Sequence, residues 1–420
     1  MVVGREYANQ FTLLLSCIVF PTVAHLAVRR LTGWARDALL CAAGVYIAFE
    51  VCEISGPTAW PKLSVSLFVG YLCLVGAAYA TLACAQRFGR GWRIAALLLP
   101  VAWLVLMRVT PWMKTPLRGS LELADQRSVV PFLVGLSYIT FRLSHLAQEV
   151  SNGVARMPSV LRYYAFAFFP PTLVLGPISP YSRFEASLDA GASRAIAYGA
   201  CAVRMLIGAI KYLVLGTILN HFTYQGLLLD GRAHGALDLA LAIAVYPLFL
   251  FCNFSGFCDL AIGAAGLAGI SVAENFDYPF AARNLQEFWN RWHMTLSGWF
   301  RDLFFTPFVK AIGRTAGAKA MPHVIALGIV VTFLFIGIWH GSGLNFALFG
   351  LSHGLGVATA HYWIAGQKRR LGPQGFAKLR ESKWIRLTSV VITYSFFALS
   401  LVLFANSMSD LAKIARVIHG

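Results

Sequence analysis

A chain of 420 residues with 58% hydrophobic and only 13% charged residues is excluded from the soluble globular class, because such a surface normally carries about a quarter charged residues. The formal net charge of +17 does not indicate nucleic acid, because the positives sit in short gaps between apolar runs. Arg29, Arg30 and Arg36 follow the first run, and Arg87, Arg90 and Arg93 follow the third, as positive-inside bias in a bilayer protein requires.

In chain order the apolar runs predict membrane spans at roughly 11–28, 38–54, 64–85, 92–107, 130–147, 158–178, 195–219, 236–257, 323–340, 343–365 and 384–405, about eleven in all. Met1–Gln10 has one arginine and no small-residue cleavage site follows the first run, so Phe11–Val28 reads as a retained span and not a signal peptide. The loop between the second and third spans carries Glu50, Glu53 and only Lys62, while the loops on either side are basic. This alternation places the N-terminus outside the cell membrane and the basic loops in the cytoplasm.

Three stretches break the pattern. Phe169-Pro170-Pro171 and Gly176-Pro177-Ile178-Ser179-Pro180 must end or kink a helix. Phe251–Asp259 reads FCNFSGFCD, with Asn253, Ser255 and Asp259 at membrane depth. From Glu274 to Arg314 the chain is too polar to span and too aromatic for a loop. Irregular polar backbone at that depth survives only inside protein or beside a water-filled cavity, so this region is expected to line an internal site. Gly263, Gly266 and Gly269 lack the strand that a phosphate loop needs and read as close helix packing. Eight cysteines are scattered without a CxxC pair, which indicates neither a zinc site nor a disulfide framework. No repeat or hydrophilic domain interrupts the chain, so 1–420 reads as one domain.

Leu285–Arg301, LQEFWNRWHMTLSGWFR, is predicted as a helix. Leu285, Phe288, Trp289, Trp292, Leu296, Trp299 and Phe300 fall on one face, and Gln286, Asn290, His293, Ser297 and Arg301 on the other. Glu287 and Arg291 stand in the favourable order for an ion pair. The pattern suits either an interfacial anchor or a helix re-entering the membrane. His340 ends the apolar run VIALGIVVTFLFIGIWHG, with another apolar segment close behind. At that depth an ionisable side chain faces an interior pathway or is tied to a neighbouring carbonyl. As a functional group it is a neutral imidazole able to take a proton from a hydroxyl that attacks a thioester or ester. Gly341 and Gly343 beside it would give a substrate close backbone access. His145, His353 and His361 have no polar cluster near them in sequence.

Taken together, ENFDYPFAARNLQEFWNRWHMTLSGWFRD from Glu274 and GIWHG from Gly337 resemble the membrane-bound O-acyltransferase (MBOAT) family. LVGLSYITFR at Leu133–Arg142, LGPISPYSRF at Leu175–Phe184 and NFSGFCDLAIG at Asn253–Gly263 are similar to it as well. FWNRWHMTLSGWFRD is more like the D-alanyl transferase branch of the Dlt pathway, whereas the aspartate of SGFCDLAIG is more like the alginate O-acetyltransferases. The resemblance implies an all-α polytopic membrane protein, a ring of helices with re-entrant or interfacial pieces around a central tunnel. It also implies that His340 is the catalytic histidine and His293 the second characteristic one. Trp289, Asn290, Arg291, Trp339, Asn253, Ser255 and Asp259 would border the tunnel, with no metal and no bound cofactor. In the D-alanyl branch the donor is a phosphopantetheine thioester on a cytoplasmic acyl carrier protein, and the acceptor is an extracytoplasmic glycopolymer such as teichoic acid. A basic cytoplasmic face suits an acidic carrier. A transporter using the same histidines as a proton relay is the rival from another class.

Overall fold

The computed structural model describes residues 18–55, 61–109, 136–193, 195–229, 234–341 and 343–419. The readings placed on Met1–Gln10, the first part of Phe11–Val28 and Leu133–Gly135 lie outside the described residues. The described elements are helical, with one isolated antiparallel bridge between Phe276 and Trp292. Among the described residues, five helical runs are long and apolar enough to cross a membrane: Phe68–Phe88, Tyr198–Leu228, Ala236–Leu267, Met294–His340 and Lys383–Ala405. The chain is an all-α, multi-pass membrane protein. It divides into two compact units, Met1–Gly208 with Phe257–Ala273, and Ala209–Gly256 with Glu274–Gly420.

The first unit contains α1 (Phe20–Arg30), α2 (Gly33–Ser55), α3 (Pro61–Phe88), α4 (Arg90–Val109), α5 (Leu136–Ser151), α6 (Val160–Ala167), α7 (Tyr181–Ala190) and α8 (Tyr198–Ala209). Here the predicted span 158–178 is replaced by something shorter. α6 starts on a Ser159 cap, ends at Phe168, and gives way to a 3-10 turn over Pro170–Thr172. Proline has no N–H for the ladder, so the helix cannot continue. The buried guanidinium of Arg142 takes up the carbonyls this break exposes, donating to Phe166 O at 3.0 Å and Ala167 O at 3.1 Å. It also donates to Thr172 Oγ1 at 2.6 Å.

The segment then returns to where it began. Arg162, near its start, pairs with Asp37 at 2.9 Å, and Asp189, after its return, pairs with Arg156 at 2.6 Å. Glu149 caps α7 by accepting from Tyr181 N at 2.8 Å. In between, Tyr163 and Tyr164 donate to the carbonyls of Val75 and Leu72 in α3. The segment 160–181 therefore enters and leaves by the same end of its unit. Gly263 and Gly266 do pack closely, since a Cβ at either would run into Cys201 or Met205 of α8, whereas Gly269 lies past the end of its helix with φ +77°.

The second unit holds a π-helical stretch at Ile210–Leu215, α9 (Gly216–Asn220), the first part of α10 (Ala236–Leu267), α11 (Leu285–Trp289), α12 (Met294–Phe300), α13 (Thr306–His340), α14 (Leu344–Glu381), α15 (Lys383–Ala405) and α16 (Met408–His419). α13 is broken at Gly317, whose φ is +73°, and α14 at Gly372, whose φ is +69°. α13 and α14 approach at backbone distance, because a Cβ on Gly337 would strike Gly350 and one on Gly354 would strike Val330. That contact fixes the hairpin whose bend follows His340.

Candidate functional site

Leu285–Arg301 is not one helix. α11 ends at Trp289, α12 begins at Met294, and His293 between them has left-handed backbone, φ +46° and ψ +51°. The cause is a long-range pairing that sequence periodicity cannot register. Asp277 N donates to Arg291 O and Met294 N to Asn275 O, both at 2.9 Å, which pulls the turn against the strap 275–278. The break moves His293 from the polar face to the buried side, where it is 4% exposed. Asn290 stays exposed. Arg291 is held by Glu287 at 3.0 Å, the ion pair expected from their spacing. The aromatic residues from Leu285 to Phe300 are all buried.

One ring nitrogen of His293, Nδ1, lies 3.0 Å from Asn275 Oδ1. The same oxygen accepts from Thr295 Oγ1 at 2.8 Å and from Thr295 N at 3.3 Å. With three donors converging it must be the amide oxygen, so Nδ1 carries the proton and Nε2 keeps its lone pair. The ring packs edge-on against Phe254, with centroids 4.7 Å apart. Phe251, one turn earlier on α10, meets Phe276 at 5.6 Å and Trp292 at 6.2 Å. Phe251 and Phe254 of the FCNFSGFCD stretch thus supply a wall behind the His293 turn. Asn253 is half-buried there, and the Ser255 hydroxyl is buried without a hydrogen-bond partner among the described residues.

His340, the last residue of α13, is half-buried where His293 is fully enclosed. Its ring lies 4.5 Å from that of Trp339, 4.9 Å from Phe404 and 6.3 Å from Phe349. The Phe349 ring also meets His353 at 4.6 Å, so His340 and His353 share one aromatic neighbour. The neighbouring glycines do not form an open cradle. A Cβ on Gly341 would overlap the Phe346 ring, and one on Gly343 the Asn345 side chain, so the chain itself fills that space.

His353 has no polar cluster near it in sequence, yet the fold gives it two polar partners. Trp289 Nε1 donates to its Nδ1 at 3.2 Å, and its Nε2 meets Ser400 Oγ at 2.8 Å. These partners are 64 and 47 residues away in the chain, so no local pattern could have shown them. Trp289, counted with the tunnel residues, is buried and committed to this bond. Asp259 belongs to the first unit, where Arg204 holds its carboxylate at 3.1 Å. The second unit thus brings together His293, His340, Trp289 and Trp339, with Asn253 and Ser255 on the adjoining helix.

An imidazole with a fixed tautomer and a lone pair, near a second, more accessible imidazole, can accept a proton from a hydroxyl or orient a substrate. Residues 88–370 match the model of the membrane-bound O-acyltransferase family. The chain is 30% identical over 327 residues to the teichoic acid D-alanyltransferase of Streptococcus thermophilus, covering 74% of this chain and 75% of the relative. To the teichoic acid D-alanyltransferase of Bacillus subtilis it is 30% identical over 284 residues, 66% of this chain and 70% of the relative. The peptidoglycan O-acetyltransferase of Helicobacter pylori is 27% identical over 264 residues, 62% of this chain but 47% of the relative.

Proposed function

The chain belongs to the membrane-bound O-acyltransferase family and is an O-acyltransferase; from that premise we propose that it moves a D-alanyl group from a carrier-protein thioester to a hydroxyl of an extracytoplasmic glycopolymer such as teichoic acid. The observation that carries the choice of acyl group is coverage. The match runs through three quarters of the S. thermophilus D-alanyltransferase but less than half of the H. pylori acetyltransferase, at 75% and 47% of their lengths. The whole of 1–420 acts as one acyltransferase domain in the cell membrane, with its N-terminus outside.

His340 is the general base in this reading. Its imidazole takes the proton of the acceptor hydroxyl as that oxygen attacks the thioester carbonyl. The C–O bond forms, the C–S bond breaks, and the proton passes to the departing phosphopantetheine sulfur. No covalent enzyme intermediate is required. His293 presents its Nε2 lone pair toward the substrate and orients the donor end, its tautomer held by Asn275. The half-buried position of His340 supports the base assignment, since a general base must come within hydrogen-bond reach of the proton it removes.

The test is transfer by the purified chain in proteoliposomes containing lipid-linked poly(glycerol phosphate). It is supplied with D-[14C]alanyl carrier thioester or, separately, with an acetyl donor. Hydroxylamine-labile D-alanyl ester that depends on the thioester is the expected product. Acetyl ester formation without D-alanyl transfer would assign the chain to polysaccharide O-acetylation instead.

A further inference from the structure

We propose that His353 is a positioning residue that holds the turn carrying His293 and the helix hairpin carrying His340 at a fixed separation. The inference rests on the reading of those two histidines as the reacting site.

The hydrogen bonds around His353 have only one consistent direction. Tryptophan is solely a donor, so the Trp289 indole, 3.2 Å away, forces Nδ1 to be the acceptor. The ring proton therefore sits on Nε2 and goes to Ser400 Oγ at 2.8 Å. The Ser400 hydroxyl passes its own proton to Phe397 O at 2.7 Å. Both nitrogens are committed and the residue is 0% exposed, so His353 has neither the lone pair nor the access to serve as a base.

What His353 does have is a place at the junction of three elements. Trp289 is the last residue of α11, four residues before His293. His353 itself stands on α14, whose start follows His340 across the α13–α14 bend, and Ser400 stands on α15. The Phe349 ring lies between the two imidazoles, 4.6 Å from His353 and 6.3 Å from His340. Phe333 of α13 stacks on His353 at 6.3 Å and meets Trp289 at 5.0 Å. Removing the imidazole would free α11 to shift against the α13–α14 hairpin, and reacting groups displaced by an ångström lose rate steeply.

Three variants and one control decide the matter, with kcat and KM for the D-alanyl carrier thioester read per folded, monodisperse protein. His353→Phe fills the space but loses both hydrogen bonds, and Trp289→Phe removes the donor while keeping an aromatic ring. Each is expected to lower kcat by about 10- to 100-fold while KM changes less than about twofold. His353→Gln keeps an acceptor and a donor without a titratable ring, and is expected to restore most of kcat. Normal kcat in His353→Phe overturns the proposal, as does a glutamine variant that folds yet is as inactive as the control His340→Gln. If His353→Phe cannot be purified folded, Trp289→Phe decides alone, and wild-type kcat there rejects the role. Full activity in His340→Gln would instead remove the underlying site reading.

Discussion

Asn275 Oδ1 lies 3.0 Å from His293 Nδ1 and is the acceptor that fixes which nitrogen of that ring carries the proton. Because Asn275 is 1% exposed and serves Thr295 as well, its loss leaves several donors stranded. An unpaired buried donor costs about 1–3 kcal/mol.

Asn275→Ala should therefore lower the stability of the second unit by about 1–3 kcal/mol and reduce transfer, because His293 can then adopt either tautomer. Thermal unfolding in detergent, read beside the transfer rate, checks both. A variant with wild-type stability and rate would mean that Asn275 does not hold the ring.

The orientation of the chain is testable from the ion pairs of the first unit. Arg162 with Asp37, and Arg156 with Asp189, put the loop before α6 at the same end as the start of α2. In a background lacking native cysteines, Val154→Cys, on an exposed position, and Arg90→Cys should both be labelled from the cytoplasm. Labelling of the two from opposite sides would separate the loop before α6 from the basic loop that follows α3. Labelling of both from outside would invert the topology.

Much of this is legible in the sequence. The helical class, the Glu287–Arg291 pair and the glycine packing at Gly263 and Gly266 all follow from local spacing. The turn at His293 was not legible, because it is made by Asn275 and Asp277 from a separate strap. Hydrophobic periodicity ran unbroken across 285–301, and only tertiary pairing overrode it. The span 158–178 failed for a related reason. From Tyr163 onward its apolar residues face a protein interior, where Ala167 and Phe168 are fully buried, so hydropathy alone could not separate core from lipid contact. His353 shows the same limit at the site, since its partners come from two other helices.

Asp259 and Arg204 form an ion pair within the first unit, with side-chain exposures of 15% and 32%. Alanine at either position should cost about 0.5–3 kcal/mol. The double variant should lose less than the sum of the singles, because contacting residues couple. Additive losses in a thermal-unfolding cycle would show that the two charges do not support each other.

The proposed docking of an acidic carrier on basic helix ends, with Arg314 and Lys319 assigned to the cytoplasmic face in that proposal, predicts salt-sensitive encounter. Exposed charge pairs are screened over about 8 Å at physiological ionic strength. Carrier binding to the purified protein should weaken several-fold between low and physiological salt, measured by surface-immobilised titration. Binding indifferent to salt, or no binding, would remove the electrostatic docking.

His340→Gln keeps a hydrogen-bonding side chain at the end of α13 but cannot take up a proton. General-base assistance is worth roughly two to four orders of magnitude, so thioester-dependent transfer by the folded variant should fall by at least about 100-fold. Near-normal transfer by His340→Gln, in protein that unfolds at the wild-type temperature, would contradict the account and make His340 a packing residue.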